Sequence, residues 1–164
     1  MIGYMRKVFP LLGMAILSGC GSGGHHTELD CMERAMYFES NRSSRDGMVA
    51  VGSVVMNRVE SASYPNSVCG VVAQKNQFAP GIMSTKMDER QLARIKGPAV
   101  SVLKGERHPL IGNAKFFHAA SYRANYDNMH YVLVTGGNAF YERRKRELVT
   151  QPTPPAPIEG ITGS

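Results

Sequence analysis

Between Glu28 and Asn41 the apolar side chains recur at helical spacing, with Cys31, Met32, Ala35 and Met36 on one face and Asp30, Glu33, Arg34 and Tyr37 on the other. At about 100° per residue, Glu39 falls in the middle of the apolar stripe, near Met32 and Ala35. Burying a carboxylate there is costly unless the group is paired, protonated or useful. Desolvation raises its pKa, which is what a general acid working near neutral pH needs. The structural alternative is a salt bridge, for example to Arg42 or Arg58, or a cap at the helix end.

Other residue types limit the chemistry further. His118 and His130 are potential metal ligands, but no HExxH or comparable spacing supports a site, so neither metal nor cofactor is expected. Cys31 or Cys69 with one of these histidines would suit a thiol hydrolase. In an oxidising compartment the same two cysteines are better read as a disulfide.

That compartment is indicated by the first twenty residues. Arg6 and Lys7 precede a mostly apolar run, and Leu17, Ser18, Gly19 and Cys20 close it. The tetrad resembles the lipobox of bacterial lipoproteins, which implies a signal peptide over 1–19 and acylation of Cys20. Gly21 in the next position implies sorting to an outer membrane, with the domain on its periplasmic face. Residues 20–27 read as a tether, 28–147 as the folded domain, and 148–164, with Pro152, Pro154, Pro155 and Pro157, as a disordered tail.

The chain is 164 residues long, enough for one core, and 19 Lys and Arg against 13 Asp and Glu give a net charge of +6. It lacks the dense basic stripe and stacking aromatics of a nucleic-acid binder, so no such partner is expected. The run from Glu142 to Glu147 reads as a solvated end, or as an attraction to anionic envelope polymers.

The elements that would position Glu39 follow from pattern. Residues 48–59 are apolar nearly all round, so a helix there should be the buried centre of the domain. A short helix is expected over 68–74, and a longer one over 88–104 that Gly97 and Pro98 should kink or break. Residues 114–119, 131–135 and 139–143 read as strands, with Gly136, Gly137 and Asn138 turning the last two into a hairpin. Helices preceding a small antiparallel sheet make the class α+β, mainly helical.

Five blocks in order, CMERAMYFESN (31–41), DGMVAVGSVVMNRV (46–59), YPNSVCGVV (64–72), QFAPG (77–81) and GGNAFYE (136–142), resemble the SleB family of cell-wall hydrolases. The resemblance implies a reduced lysozyme-like domain, peptidoglycan glycan strands as substrate, and Glu39 as the catalytic acid. Many members carry a second glutamate four residues later, where this chain has Ser43. A hydrolase with two carboxylates needs such a partner; Asp46 and Asp127 are the remaining candidates. A lytic transglycosylase needs none, because the C6 hydroxyl of N-acetylmuramic acid is the nucleophile.

The resemblance also implies a glycan groove bordered by Gln77, offering an amide hydrogen bond, and Phe78, as a sugar platform, the alternative for both being a loop anchor, with His118 on a nearby strand and Tyr141 as the leading aromatic candidate. Tyr122, Tyr126, Asn128 and Tyr131 suit either sugar contact or packing. Asn57 and Arg58 read as ties between the buried helix and its neighbours. The alternative function is a peptidoglycan-binding or scaffold lipoprotein that has lost catalysis.

Overall fold

The computed structural model describes residues 26–42 and 44–163; the leader, Cys20 and Ser43 lie outside them. Helix α1, Glu28–Glu39, starts where the Thr27 hydroxyl accepts the Asp30 N–H at 3.1 Å, and Glu28 and Asp30 complement its dipole. His26 bonds to Asp30, so order begins inside the segment read as a tether. The helix stops at Glu39: Ser40 is extended, and both its N–H and its hydroxyl return to the Met36 carbonyl.

Helix α2, Arg45–Val59, opens on Ser44, whose hydroxyl accepts the Gly47 N–H. Its Val49, Val51, Val54 and Val55 are buried on every side, and α1, α3 (Val68–Val72) and α4 (Glu89–Leu103) pack around it. Gly52 makes that packing close: a Cβ there would lie 2.5 Å from the Met36 methyl carbon and 3.2 Å from two Val102 methyls. Helix α4 is a single element through Pro98, so of the kink or break expected there the break does not occur. Gly97 has no Cβ to meet the proline ring, which removes the usual obstacle to a helical residue before proline. The disulfide joins Cys31 of α1 to Cys69 of α3, with Cα atoms 5.1 Å apart.

The sheet is antiparallel in the order β1-β3-β2, with β1 Phe116–Ala119, β2 Met129–Thr135 and β3 Asn138–Arg143. Gly136 and Gly137 have φ of 57° and 81°, the positive pair that a two-residue hairpin turn requires. One sheet face, with Phe140 and Leu133, completes the helical core. The other carries a second cluster of Met129, Tyr131, Val134, Ala139 and Tyr141.

The tail is not disordered. The Tyr131 N–H donates to the Gln151 carbonyl and the Ile158 N–H to that of Val134, so the proline-rich segment lies along the free edge of β2. Further on, Ile161 and Thr162 donate to the buried Asp46 carboxylate. Proline prevents a ladder but not an edge strap, because the residues between prolines still supply donors and acceptors.

Candidate active site

Glu39 is the last residue of α1, half-buried, with its carboxylate at the negative end of the helix dipole. The Ala79 N–H donates to its Oε1 at 2.5 Å. Its backbone carbonyl accepts the Asn138 side-chain amide at 2.7 Å. Among the described residues Oε2 has no protein partner, and it is not among the buried orphaned atoms, so it is the oxygen open to a ligand.

Burial pushes the Glu39 carboxyl up from the ordinary glutamate range; the Ala79 hydrogen bond and the charge of Arg58 pull the other way without cancelling it. No other carboxylate contributes to that shift. Arg58, 3% exposed, is not ion-paired among the described residues. Its Nε donates to the Lys115 carbonyl, and its guanidinium lies 5.2 Å from the Phe78 ring centre and 5.4 Å from that of Tyr64. Burial lowers its pKa, opposed by Tyr64, Tyr141 and Glu39. Asn57 bonds the Gly112 and Ala114 carbonyls, so these two side chains tie α2 to the approach to β1.

Loop 72–84 forms the wall beside Glu39. Ala79, the donor to the acid, also lines a cavity of about 370 Å³ with Gln74, Asn76, Phe78, Pro80 and Met83. Gln77 is exposed on this loop. Phe78 is not the open platform expected: it is 9% exposed and packs into the core beneath Arg58, because the loop turns its ring inward.

His118 and Tyr141 belong to the sheet's second face, with ring centres 5.8 Å apart. The Ala119 carbonyl can only accept, so His118 Nδ1 donates to it, and Nε2 is hydrogen-bonded with the Tyr131 hydroxyl at 2.8 Å. Both nitrogens are therefore engaged. Tyr141 is 9% exposed and stacks on Phe116. Strand alternation places them on the face opposite Asn138, although Tyr141, like Glu39, lies within electrostatic reach of Arg58.

Neither candidate second acid is free to act. Asp46 is 1% exposed, and three donors from Ile161 and Thr162 occupy its oxygens. Asp127 lies at the surface against Arg146, 3.6 Å away. Two contributors were not foreseen, Asn138 and the Ala79 N–H. Asn138 lies within a quoted block, but a backbone donor leaves no trace in residue type.

A family model described as Cell Wall Hydrolase matches residues 42–141. Spore cortex-lytic enzymes are similar to this chain: that of Bacillus cereus is 40% identical over 57 residues, 35% of this chain and 22% of the relative. That of Bacillus subtilis is 30% identical over 64 residues, 39% and 21%. The chain spans about a fifth of the length of these curated relatives in the matched stretch. The solved catalytic domain of the germination-specific lytic transglycosylase SleB from Bacillus anthracis superposes with a TM-score of 0.56 at 27% identity, covering 73% of this chain and 98% of that one. The catalytic domain of the Bacillus cereus SleB protein gives 0.55 at 26%, covering 73% and 100%. The family match begins just after Glu39, so the placement of the acid rests on the geometry above.

Proposed function

We propose, given that this chain belongs to the Cell Wall Hydrolase family, that it cleaves peptidoglycan glycan strands as a lytic transglycosylase with Glu39 as its one acid. The observation that carries this reading is the divided carboxyl of Glu39: Oε1 is held by Ala79, Oε2 is open, and burial keeps the group protonated above the usual range. Oε2 donates its proton to the glycosidic oxygen as the C1–O bond breaks. The C6 hydroxyl of the muramic acid then bonds to C1 and passes its proton to the carboxylate, restoring the acid and leaving a 1,6-anhydro end. Arg58 offsets the negative charge present between those two transfers. The engagement of Asp46 and Asp127 elsewhere favours this single-acid course over hydrolysis by two carboxylates.

The glycan would approach along the cavity of loop 72–84, with exposed Gln77 as a sugar contact. His118 and Tyr141 are assigned to a more remote contact through the aromatic sheet face. Digestion of purified sacculi followed by mass spectrometry of the muropeptides tests the reaction. Anhydro ends are expected; reducing ends would overturn transglycosylation, and no products would overturn the enzymatic reading in favour of a binding role.

The leader over 1–19 and acylation of Cys20 belong to the same proposal, placing the domain on the periplasmic face of an envelope membrane. No helix among the described residues is long and apolar enough to cross a membrane. Incorporation of labelled palmitate by the wild type but not by Cys20→Ala is the expected result.

A further inference from the structure

The backbone at Glu39 is held by the β2–β3 turn. Asn138 donates its amide to the Glu39 carbonyl at 2.7 Å, and the Gly136 carbonyl accepts the Asn41 N–H at 3.3 Å. That turn is held in its own right. A Cβ on Gly136 would lie 2.5 Å from the Gly47 Cα, so the turn presses on the first turn of α2 with no room between them. Behind it stands Glu159 of the C-terminal strap: Oε1 accepts the Gly136 N–H at 2.6 Å and Oε2 the Ser44 hydroxyl at 2.5 Å. Both oxygens of the Glu159 carboxylate are thus occupied. The strap is fixed on either side of Glu159, by Ile158 on Val134 and by Ile161 and Thr162 on Asp46.

We infer that Glu159 is a positioning residue for the reaction: its carboxylate clamps the Gly136 turn to the N-terminus of α2 and so sets, through Asn138, where Glu39 presents its acid. The inference rests on the reading of Glu39 as the acid. It gives the segment beyond the matched stretch 42–141 a part in the active site. Two hydrogen bonds separate Glu159 from the Glu39 backbone, one to Gly136 and one from Asn138. A general acid is sensitive to sub-ångström placement, since small misplacements from afar can cost on the order of 10²-fold in rate.

The test uses the full folded chain on soluble glycan fragments, well below the melting transition. Glu159→Ala is expected to lower kcat by roughly ten- to a hundredfold with KM changed less than about twofold. Glu159→Gln, which keeps an acceptor for Gly136, should restore most of the rate. Val102→Ala, a core truncation in α4 away from the strap, is the control for lost stability and is expected to keep kcat within about twofold. Should Glu159→Ala fold and keep its kcat, or should Val102→Ala lose as much, the strap is only a stabiliser and the inference is wrong. The Asn138 side-chain amide resonance supplies a readout independent of turnover. It should shift in Glu159→Ala but not in Val102→Ala, and an unmoved resonance would also overturn the clamp. A wild type inactive on glycan fragments would instead defeat the reading of Glu39, with the resonance still reporting on the clamp.

Discussion

The Ala79 N–H meets Glu39 Oε1 at 2.5 Å, so a backbone donor in loop 72–84 fixes one carboxyl oxygen and leaves the other to face substrate. The arrangement sorts the two oxygens: the one receiving a hydrogen bond is the poorer site for a proton, and Oε2 becomes the acid. Loop and helix end therefore act as one device, although they are 40 residues apart in the chain.

Replacing Glu39 by Gln should abolish turnover, a loss of at least about 10²-fold, while the fold persists. Gln retains an acceptor for Ala79. Because the folded pKa is raised, the contribution of Glu39 to wild-type stability is greatest at low pH and declines as pH rises from the unfolded value through the folded one. The variant should therefore melt at or above the wild-type temperature at neutral pH, with the gap closing in acid. Melting curves across pH check this, together with muropeptide release; an active folded variant would refute the role.

The pH profile carries the same signature. A general acid must be protonated to act, so the basic limb of kcat/KM should lie above the ordinary glutamate range. Arg58 lowers the Glu39 pKa, and Arg58→Gln should move that limb to still higher pH. A limb that stays put in the variant would show that the Arg58 charge does not reach the acid.

Much of this site was legible in the sequence because it is periodic or local. The apolar stripe around Glu39, the Gly-Gly hairpin and the cysteine pair each follow from spacing or chemistry within a short window. Platform or loop anchor could not be separated for Phe78 from sequence, because an aromatic residue in a loop carries no sign of which way it points, and the fold sets it beneath Arg58. The strap was misread for a different reason. Proline content excludes helix and ladder but not order, and the contacts that fix the end of the tail to α2 join residues 115 and 116 positions apart. No window along the chain contains both partners.

Removing the disulfide should cost stability more than chemistry. Its closed loop, with a sequence separation of 38, corresponds to about 4 kcal/mol on a chain-entropy basis. Cys31 lies two turns before Glu39 on a helix that is also held by α2 and α4. The double variant Cys31→Ala, Cys69→Ala should melt roughly 10 °C lower, yet keep kcat within a few-fold at low temperature. Parallel calorimetry and turnover measurements decide; loss of turnover in a sample that still melts cooperatively would show that the bond shapes the site.

Gly136 should tolerate no side chain. Its φ of 57° disfavours any Cβ, and that atom would stand 2.5 Å from the Gly47 Cα, a backbone atom that cannot swing away. Gly136→Ala is expected to destabilise by about 2 to 4 kcal/mol, combining the positive φ with overpacking. Denaturant unfolding measures it, and a change under about 1 kcal/mol would mean that the turn and α2 part readily.

Asp46 makes the attachment of the strap pH-dependent. Burial alone would raise its pKa, but the hydroxyl and N–H of Thr162, the N–H of Ile161 and the nearby His108 outweigh burial and hold it below the usual aspartate range. A depressed folded pKa contributes stability that is present above the unfolded value and lost as pH falls through the folded one. At neutral pH, Asp46→Asn places an amide donor against one of these N–H groups and should cost about 1 to 3 kcal/mol. Acidification should shrink the difference between the two proteins, because protonation of wild-type Asp46 also removes its charge. Amide exchange at Ile161 and Thr162 reports the same event locally, and protection there should fall in the variant at neutral pH. Equal protection in both proteins would mean that the end of the strap is held by something other than this carboxylate.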